Sequence, residues 1–183
     1  MIKNKDDLKY YLEEDRKAYQ KSKKWGIKEI LFKDNFYEYI KTLRKLEYCQ
    51  NTRKLRRFYY SLKLGRLKAK TGIDLDPNVA GPGLRIHHGK IVVNCYSKIG
   101  ANCRIMSDVT IGIADINDER TKAPKIGSGV VIGSGARILG DIVIANNVTI
   151  GANAVVCKDI LEEGVVVVGV PARIIKSKSK EKE

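Results

Sequence analysis

Residues 126–156 read IGSGVVIGSGARILGDIVIANNVTIGANAVV, and this stretch decides the fold. Ile126, Ile132, Ile138, Ile144, Ile150 and Val156 stand six residues apart. Four positions beyond each comes another small or apolar side chain: Val130, Ala136, Ile142, Val148, Ala154 and Ile160. A period of six matches neither the 3.6 of an α-helix nor the 2 of a half-buried strand. It fits short strands joined by sharp turns. Each hexad then supplies one flat side, three hexads make one triangular coil, and the leading aliphatics of successive coils stack inward. Glycines and the asparagines Asn102, Asn146, Asn147 and Asn153 tolerate the backbone angles such turns require. Solenoids of this kind are parallel β-helices.

Working outward, the comb continues N-terminally through Ile111, Ile105 and Ile99, with Val93 one step earlier. It breaks between Ile111 and Ile126, where fifteen residues replace six. The insert, residues 113–123, reads IADINDERTKA, and its polarity predicts an exposed loop over 113–124. Long loops on compact scaffolds are commonly functional.

Residues 1–72 follow a different rule. Leu8, Tyr11 and Leu12, then Ile30, Leu31, Phe36, Tyr39, Ile40, Leu43 and Leu46, then Leu55, Phe58, Tyr59, Leu62 and Leu67 recur at helical spacing. Three or four amphipathic helices are predicted, with a loop at Trp25-Gly26 and an end at Thr71-Gly72. The expected organisation is a helical domain over 1–72, a β-helix over 73–175 and a charged tail over 176–183.

The net charge of +14 is unevenly placed. Residues 1–72 carry 21 Lys and Arg against 9 Asp and Glu, and the remaining residues 14 against 12. The basic excess belongs to the helical part. It suits a solvated face or peripheral contact with an anionic surface. No nucleic-acid-binding module accompanies it, so nucleic acid is not an expected partner. The cysteines at 49, 95, 103 and 157 form no C-x-x-C pair and no metal-ligand spacing, so no metal is expected and reduced thiols in a cytoplasm are the simpler reading. The opening has no apolar run of the signal-peptide kind, and no stretch approaches the roughly 18 apolar residues of a membrane span.

His87 and His88 are the two histidines of the chain, followed at once by Gly89. They are the candidates for a base that titrates near neutrality. The segments DLDP (74–77), GPGLRIHHGKIVVN (81–94), APKIGSGVVIGSGARILGD (123–141), IGANAVV (150–156) and GVPARII (169–175) resemble, in order, the motifs of the serine acetyltransferase family. The opening KDDLKYYLEEDRKAY, residues 5–19, is similar to serine acetyltransferase-like proteins found with exopolysaccharide biosynthesis enzymes.

That resemblance implies a left-handed parallel β-helix, assembled as a homotrimer or a dimer of trimers. It implies transfer of acetyl from acetyl-CoA to a hydroxyl, with a histidine as general base and a carboxylate to orient it. Counting back from Ile91-Val92-Val93 gives His87 the base position. Counting forward from Gly83-Leu84-Arg85-Ile86 gives it to His88. Asp74 matches the orienting aspartate, with Asp76 as runner-up. Gly112, Ser134 and Ala152 match turns that line the acetyl-CoA arm, and Lys158 and Arg173 are candidates for CoA phosphates. One departure concerns the acceptor. The family carries a second histidine just before PKIG, where this chain has Ala123, and Lys122 replaces a neighbouring arginine. L-serine, as in cysteine biosynthesis, and a sugar hydroxyl, as in surface polysaccharide biosynthesis, therefore compete as acceptor. A non-catalytic trimeric scaffold is the third reading.

Overall fold

The computed structural model describes residues 1–21, 34–117 and 119–177. The expected loop at Trp25-Gly26, the helical positions Ile30 and Leu31, and most of the charged tail lie outside the described residues. Among the described residues three helices come first: α1 (Lys5–Ala18), α2 (Asn35–Asn51) and α3 (Arg57–Thr71). Asn4 starts α1 with a reciprocal capping box, its side chain taking the Asp6 and Asp7 amides while Asp7 reaches back. Gly72, in the left-handed region at φ 67°, ends α3.

Fourteen short strands then wind a three-sided prism. The first sheet runs β1 (Ile73–Asp74), β3 (Ile91–Val93), β6 (Val109–Gly112), β9 (Arg137–Leu139) and β12 (Val155–Val156). The second runs β4 (Lys98–Ile99), β7 (Lys125–Ile126) and β10 (Val143–Ile144). The third runs β2 (Arg85–Ile86), β5 (Arg104–Ile105), β8 (Val131–Ile132), β11 (Thr149–Ile150), β13 (Val165–Val168) and β14 (Arg173–Ser177). The winding is the left-handed β-helix. Register follows the comb: Ile126 pairs with Ile144, Ile132 with Ile150, Ile138 with Val156. Each leading aliphatic is buried, and sealing one such side chain from water contributes about 1.5–3 kcal/mol. At the corners, asparagine of one coil fills space that glycine of the previous coil leaves. A Cβ on Gly135 would stand 2.0 Å from Asn153 Oδ1, and both residues have positive φ.

The structure departs from the sequence reading in four places. The comb extends back to Ile86, but Ile86 pairs with Ile105 nineteen residues on rather than eighteen, so the turn holding the histidines contains one extra residue. The insert is exposed at Ile116, yet its last residue, Ala123, is buried. The winding ends in β14, which runs antiparallel to β13 through Ser177, two residues beyond the expected end of the β-helix. The fourth is α3. Leu64 and Thr71 face the interior with Leu67 and Tyr60 packed alongside, while Leu55, Phe58, Tyr59 and Leu62 face solvent.

The helices close the first end of the prism, where unpaired strand edges would otherwise be exposed. Tyr19 Oη accepts from the Ile86 amide and donates to its carbonyl, both at 3.0 Å. Tyr39 does the same for Leu75, at 3.2 and 2.9 Å. Arg44 is fully buried: Nε meets Asp15 at 2.9 Å, and its Nη atoms donate to the carbonyls of Ala80 and Gly81 at 2.7 and 2.6 Å. Asp15 in turn accepts from the Leu84 amide at 3.0 Å. The apolar core is continuous from Tyr39 and Leu43 through Ile73 and Ile86 to Val167, so helices and prism fold around one interior.

Candidate active site

The corner between the third and first sheets carries the histidines. β2 ends at Ile86, held on its outer edge by Tyr19. The His87 amide still pairs with the Ile105 carbonyl at 3.0 Å, and the chain then turns through His88, Gly89 and Lys90. The glycine is demanded by contact rather than by φ. A Cβ at Gly89 would lie 1.7 Å from the Thr71 carbonyl oxygen, so only glycine lets the end of α3 lie against this turn.

The two imidazoles differ in environment. His87 is half-buried; its Nε2 is sealed from solvent and has no hydrogen-bond partner among the described residues. Burial pushes its pKa below the ordinary histidine value, and the charges of Arg85, His88 and Arg104 push the same way. His88 is exposed, stands edge-on to the Phe36 ring at 6.4 Å, and opens onto a groove shared with Thr71, Gly89, Lys90, Ser107 and Asp108. Ser107 Oγ donates to Ser134 Oγ at 3.2 Å, and Asp108 pairs with Arg137 at 3.1 Å.

Because Ile105, Ile132 and Ile150 are stacked in register, the residues two beyond them, Ser107, Ser134 and Ala152, form one column down this edge. The extra residue after Ile86 sets Gly89 opposite Ser107, its carbonyl accepting from the Asp108 amide at 3.2 Å, with His88 just before it at the head of the column. Ser107 and Asp108 were not singled out in the sequence. The signal that would have found them was the comb itself, counted two and three residues past Ile105.

The remaining candidates lie elsewhere. Asp74, in β1 beside Val92, bonds to Lys68, which also reaches Asp76 at 3.4 Å. Among the described residues no hydrogen bond joins Asp74 or Asp76 to either imidazole. Gly112 and Lys158 sit on the corner between the first and second sheets, a different edge of the prism. A Cβ on Gly112 would meet nothing nearer than Asn94 Cβ at 4.0 Å, so packing does not require its glycine. Lys158 and Arg173 line a common hollow on the last coil with Cys157 and Pro171. One edge thus collects His88, Ser134 and Ala152, another Gly112 and Lys158.

Against known proteins, residues 123–158 match the bacterial transferase hexapeptide model, described as six repeats. Serine acetyltransferase of Staphylococcus aureus is 41% identical over 109 residues, 58% of this chain and 50% of that protein. The enzyme of Buchnera aphidicola is 34% identical over 119 residues, 64% of this chain and 43% of that protein. The crystal structure of serine acetyltransferase from Brucella abortus superposes with a TM-score of 0.76 at 28% identity, covering 94% of this chain and 70% of that one. Over its prism the chain is similar to serine acetyltransferases. It spans about half the length of the curated relatives it matches. The likeness extends over the prism, and the helical cap closes its first coil.

Proposed function

We propose that the chain is an acetyl-CoA-dependent O-acetyltransferase in which His88 is the general base. The observation that carries this reading is the contrast between the two histidines. His88 presents an accessible imidazole to a groove at the head of the Ser107–Ser134–Ala152 column, whereas Nε2 of His87 is walled in. An acceptor hydroxyl in that groove would give its proton to His88 as its oxygen bonds to the thioester carbonyl carbon. As the carbon–sulfur bond breaks, the imidazolium returns the proton to the CoA thiolate. General-base help of this kind is worth about 10²–10⁴-fold. Asp74 is the proposed orienter of the base, which requires it to leave Lys68 or to act with it.

The acetyl-CoA contacts proposed for Gly112, Ser134, Ala152, Lys158 and Arg173 divide between prism edges. A homotrimer, or a dimer of trimers, would set one chain's first-to-second corner beside the next chain's histidine corner and unite them. The open space above Gly112 supports a ligand passing there. The reaction is placed in the cytoplasm.

For the acceptor, a sugar hydroxyl of a surface polysaccharide competes with L-serine. Ala123 is 1% exposed and carries no polar group, so it cannot take the part of the family's second histidine. CoA release from acetyl-CoA, measured with L-serine and then with sugar nucleotides, separates them. Serine-dependent release would select serine, and release only with a sugar would select the second acceptor. Acetyl-CoA binding without turnover on either would leave the non-catalytic scaffold. His88→Ala should lower turnover by about 10²-fold or more while His87→Ala retains most of it; equal, full activity in both would sink the assignment.

A further inference from the structure

Between Glu47 and Asp74 the chain has no acidic residue and eight Lys and Arg. This segment contains α3 and the loop before it. Lys63 reaches Glu38 at 3.4 Å, and Lys68 is held by Asp74 and Asp76. Among the described residues, Arg53, Lys54, Arg56, Arg57, Arg66 and Lys70 pair with no carboxylate.

The same segment turns its apolar stripe to solvent. Leu55 is 85% exposed, Phe58 59%, Tyr59 62% and Leu62 72%. Phe58, Tyr59 and Leu62 share one face of α3, and Leu55 stands in the turn just before it. Gly65 continues that face with open space above it. The contrast with the buried Leu64 and Thr71 shows that the core already has its side of α3. Where the stripe begins, a hollow is floored by Leu8, Cys49, Leu55 and Tyr60 and rimmed by Lys5, Lys45, Lys54 and Arg56. Burial, then Lys41 and Lys63, hold the Lys45 pKa below the ordinary lysine value.

We propose that this face is a peripheral docking surface for an anionic lipid bilayer, with the Leu55–Phe58–Tyr59–Leu62 stripe seated among the headgroups and the hollow receiving a lipid phosphate. Exposed apolar side chains flanked by unpaired cations are the pattern of helices that lie in a membrane interface. Charge decides the occupant. A second copy presenting the same face would set two carboxylate-free segments against each other. A purely polar polyanion would leave the apolar stripe unused. Among the described residues no helix is long and apolar enough to cross a membrane, so the contact is with the surface. This inference does not depend on the acetyltransferase reading.

The test is co-sedimentation of the full chain with vesicles of phosphatidylcholine alone and of phosphatidylcholine mixed with phosphatidylglycerol. Binding should require the anionic lipid and weaken with salt. Phe58→Ser with Leu62→Ser should lower affinity about 10-fold or more, since both lose inserted apolar surface. Arg56→Gln and Arg57→Gln should each lower it about 5-fold, and Arg120→Gln, in the prism insert, should not. All these positions are exposed, and circular dichroism checks that the variants fold. Three results would overturn the proposal: equal binding to both vesicle types, wild-type binding by the Phe58–Leu62 double variant, or lipid-free self-association in ultracentrifugation that the double variant abolishes. The last would make a second copy the occupant.

Discussion

In the prism, Ile132 meets Ile105 on one side and Ile150 on the other, each one coil away and each of the same kind. In the cap, Arg44 meets Asp15, twenty-nine residues earlier, and two carbonyls thirty-six and thirty-seven residues later. One region repeats a local contact. The other is built from single, unlike, long-range contacts, several of them polar and fully buried. A repeat can lose one member and keep its neighbours' geometry. A buried polar network has no such reserve, because each deletion strands a partner.

The sharpest way to break this contrast is Arg44→Met. It leaves Asp15 and Glu47, both buried, without their cation, and a loss of about 3–5 kcal/mol is expected in urea unfolding. Adding Asp15→Leu should recover part of it; no recovery would mean that Glu47 and the carbonyl contacts, not the Asp15 pair, dominate.

Next come Ile132→Ala and Ile150→Ala, each expected to cost about 2–5 kcal/mol. Since the two occupy equivalent positions in adjacent coils, their costs should be similar. A large difference would show that the prism is less uniform than its register.

Tyr39→Phe removes one hydroxyl that serves both polar groups of Leu75, a loss of about 1–3 kcal/mol. Gly89→Ala should cost a similar amount, about 1–3 kcal/mol, through its clash with Thr71, and it should also slow CoA release by displacing His88. Unchanged turnover in that variant would detach the cap from the site.

The smallest expected effect is on pH. The His87 imidazole is held below its ordinary value by burial first and by Arg85, His88 and Arg104 after. The unfolded chain takes up this proton near pH ~6.5, before the folded chain does. Stability should therefore fall as pH drops below about 6.5, until the folded pKa is passed. His87→Gln should flatten that part of the thermal-denaturation profile, and an unchanged profile would assign the acid dependence to other groups.

Legibility in the sequence follows the same division. The comb from Ile126 to Val156 fixed strand, turn and inward face, because in a solenoid sequence separation and spatial separation are locked together. The helices were legible as helices from their period, but the buried side of α3 was not. Leu55, Phe58, Tyr59 and Leu62 make as good an apolar stripe as Leu64 and Leu67, and only packing against α2 and β1 selects between them.

The histidine pair shows the same limit. The residues named both candidates, and counting from either flank gave a different answer. Between those flanks the chain is one residue shorter than the motif it resembles, and that made both counts possible. Only the folded corner decided that one imidazole is walled in while its neighbour meets a groove.

What the sequence determined by itself was the prism, its interruption, the likeness to serine acetyltransferases and the short roster of residues that could do chemistry. All of these rest on local pattern. What the tertiary structure alone decided was the fully buried Arg44–Asp15 pairing, the different exposures of His87 and His88, the place of His88 at the head of the column from Ser107 to Ala152 and the outward turn of α3. Each depends on which distant surfaces meet, and that is set by burial, desolvation and close packing rather than by spacing along the chain.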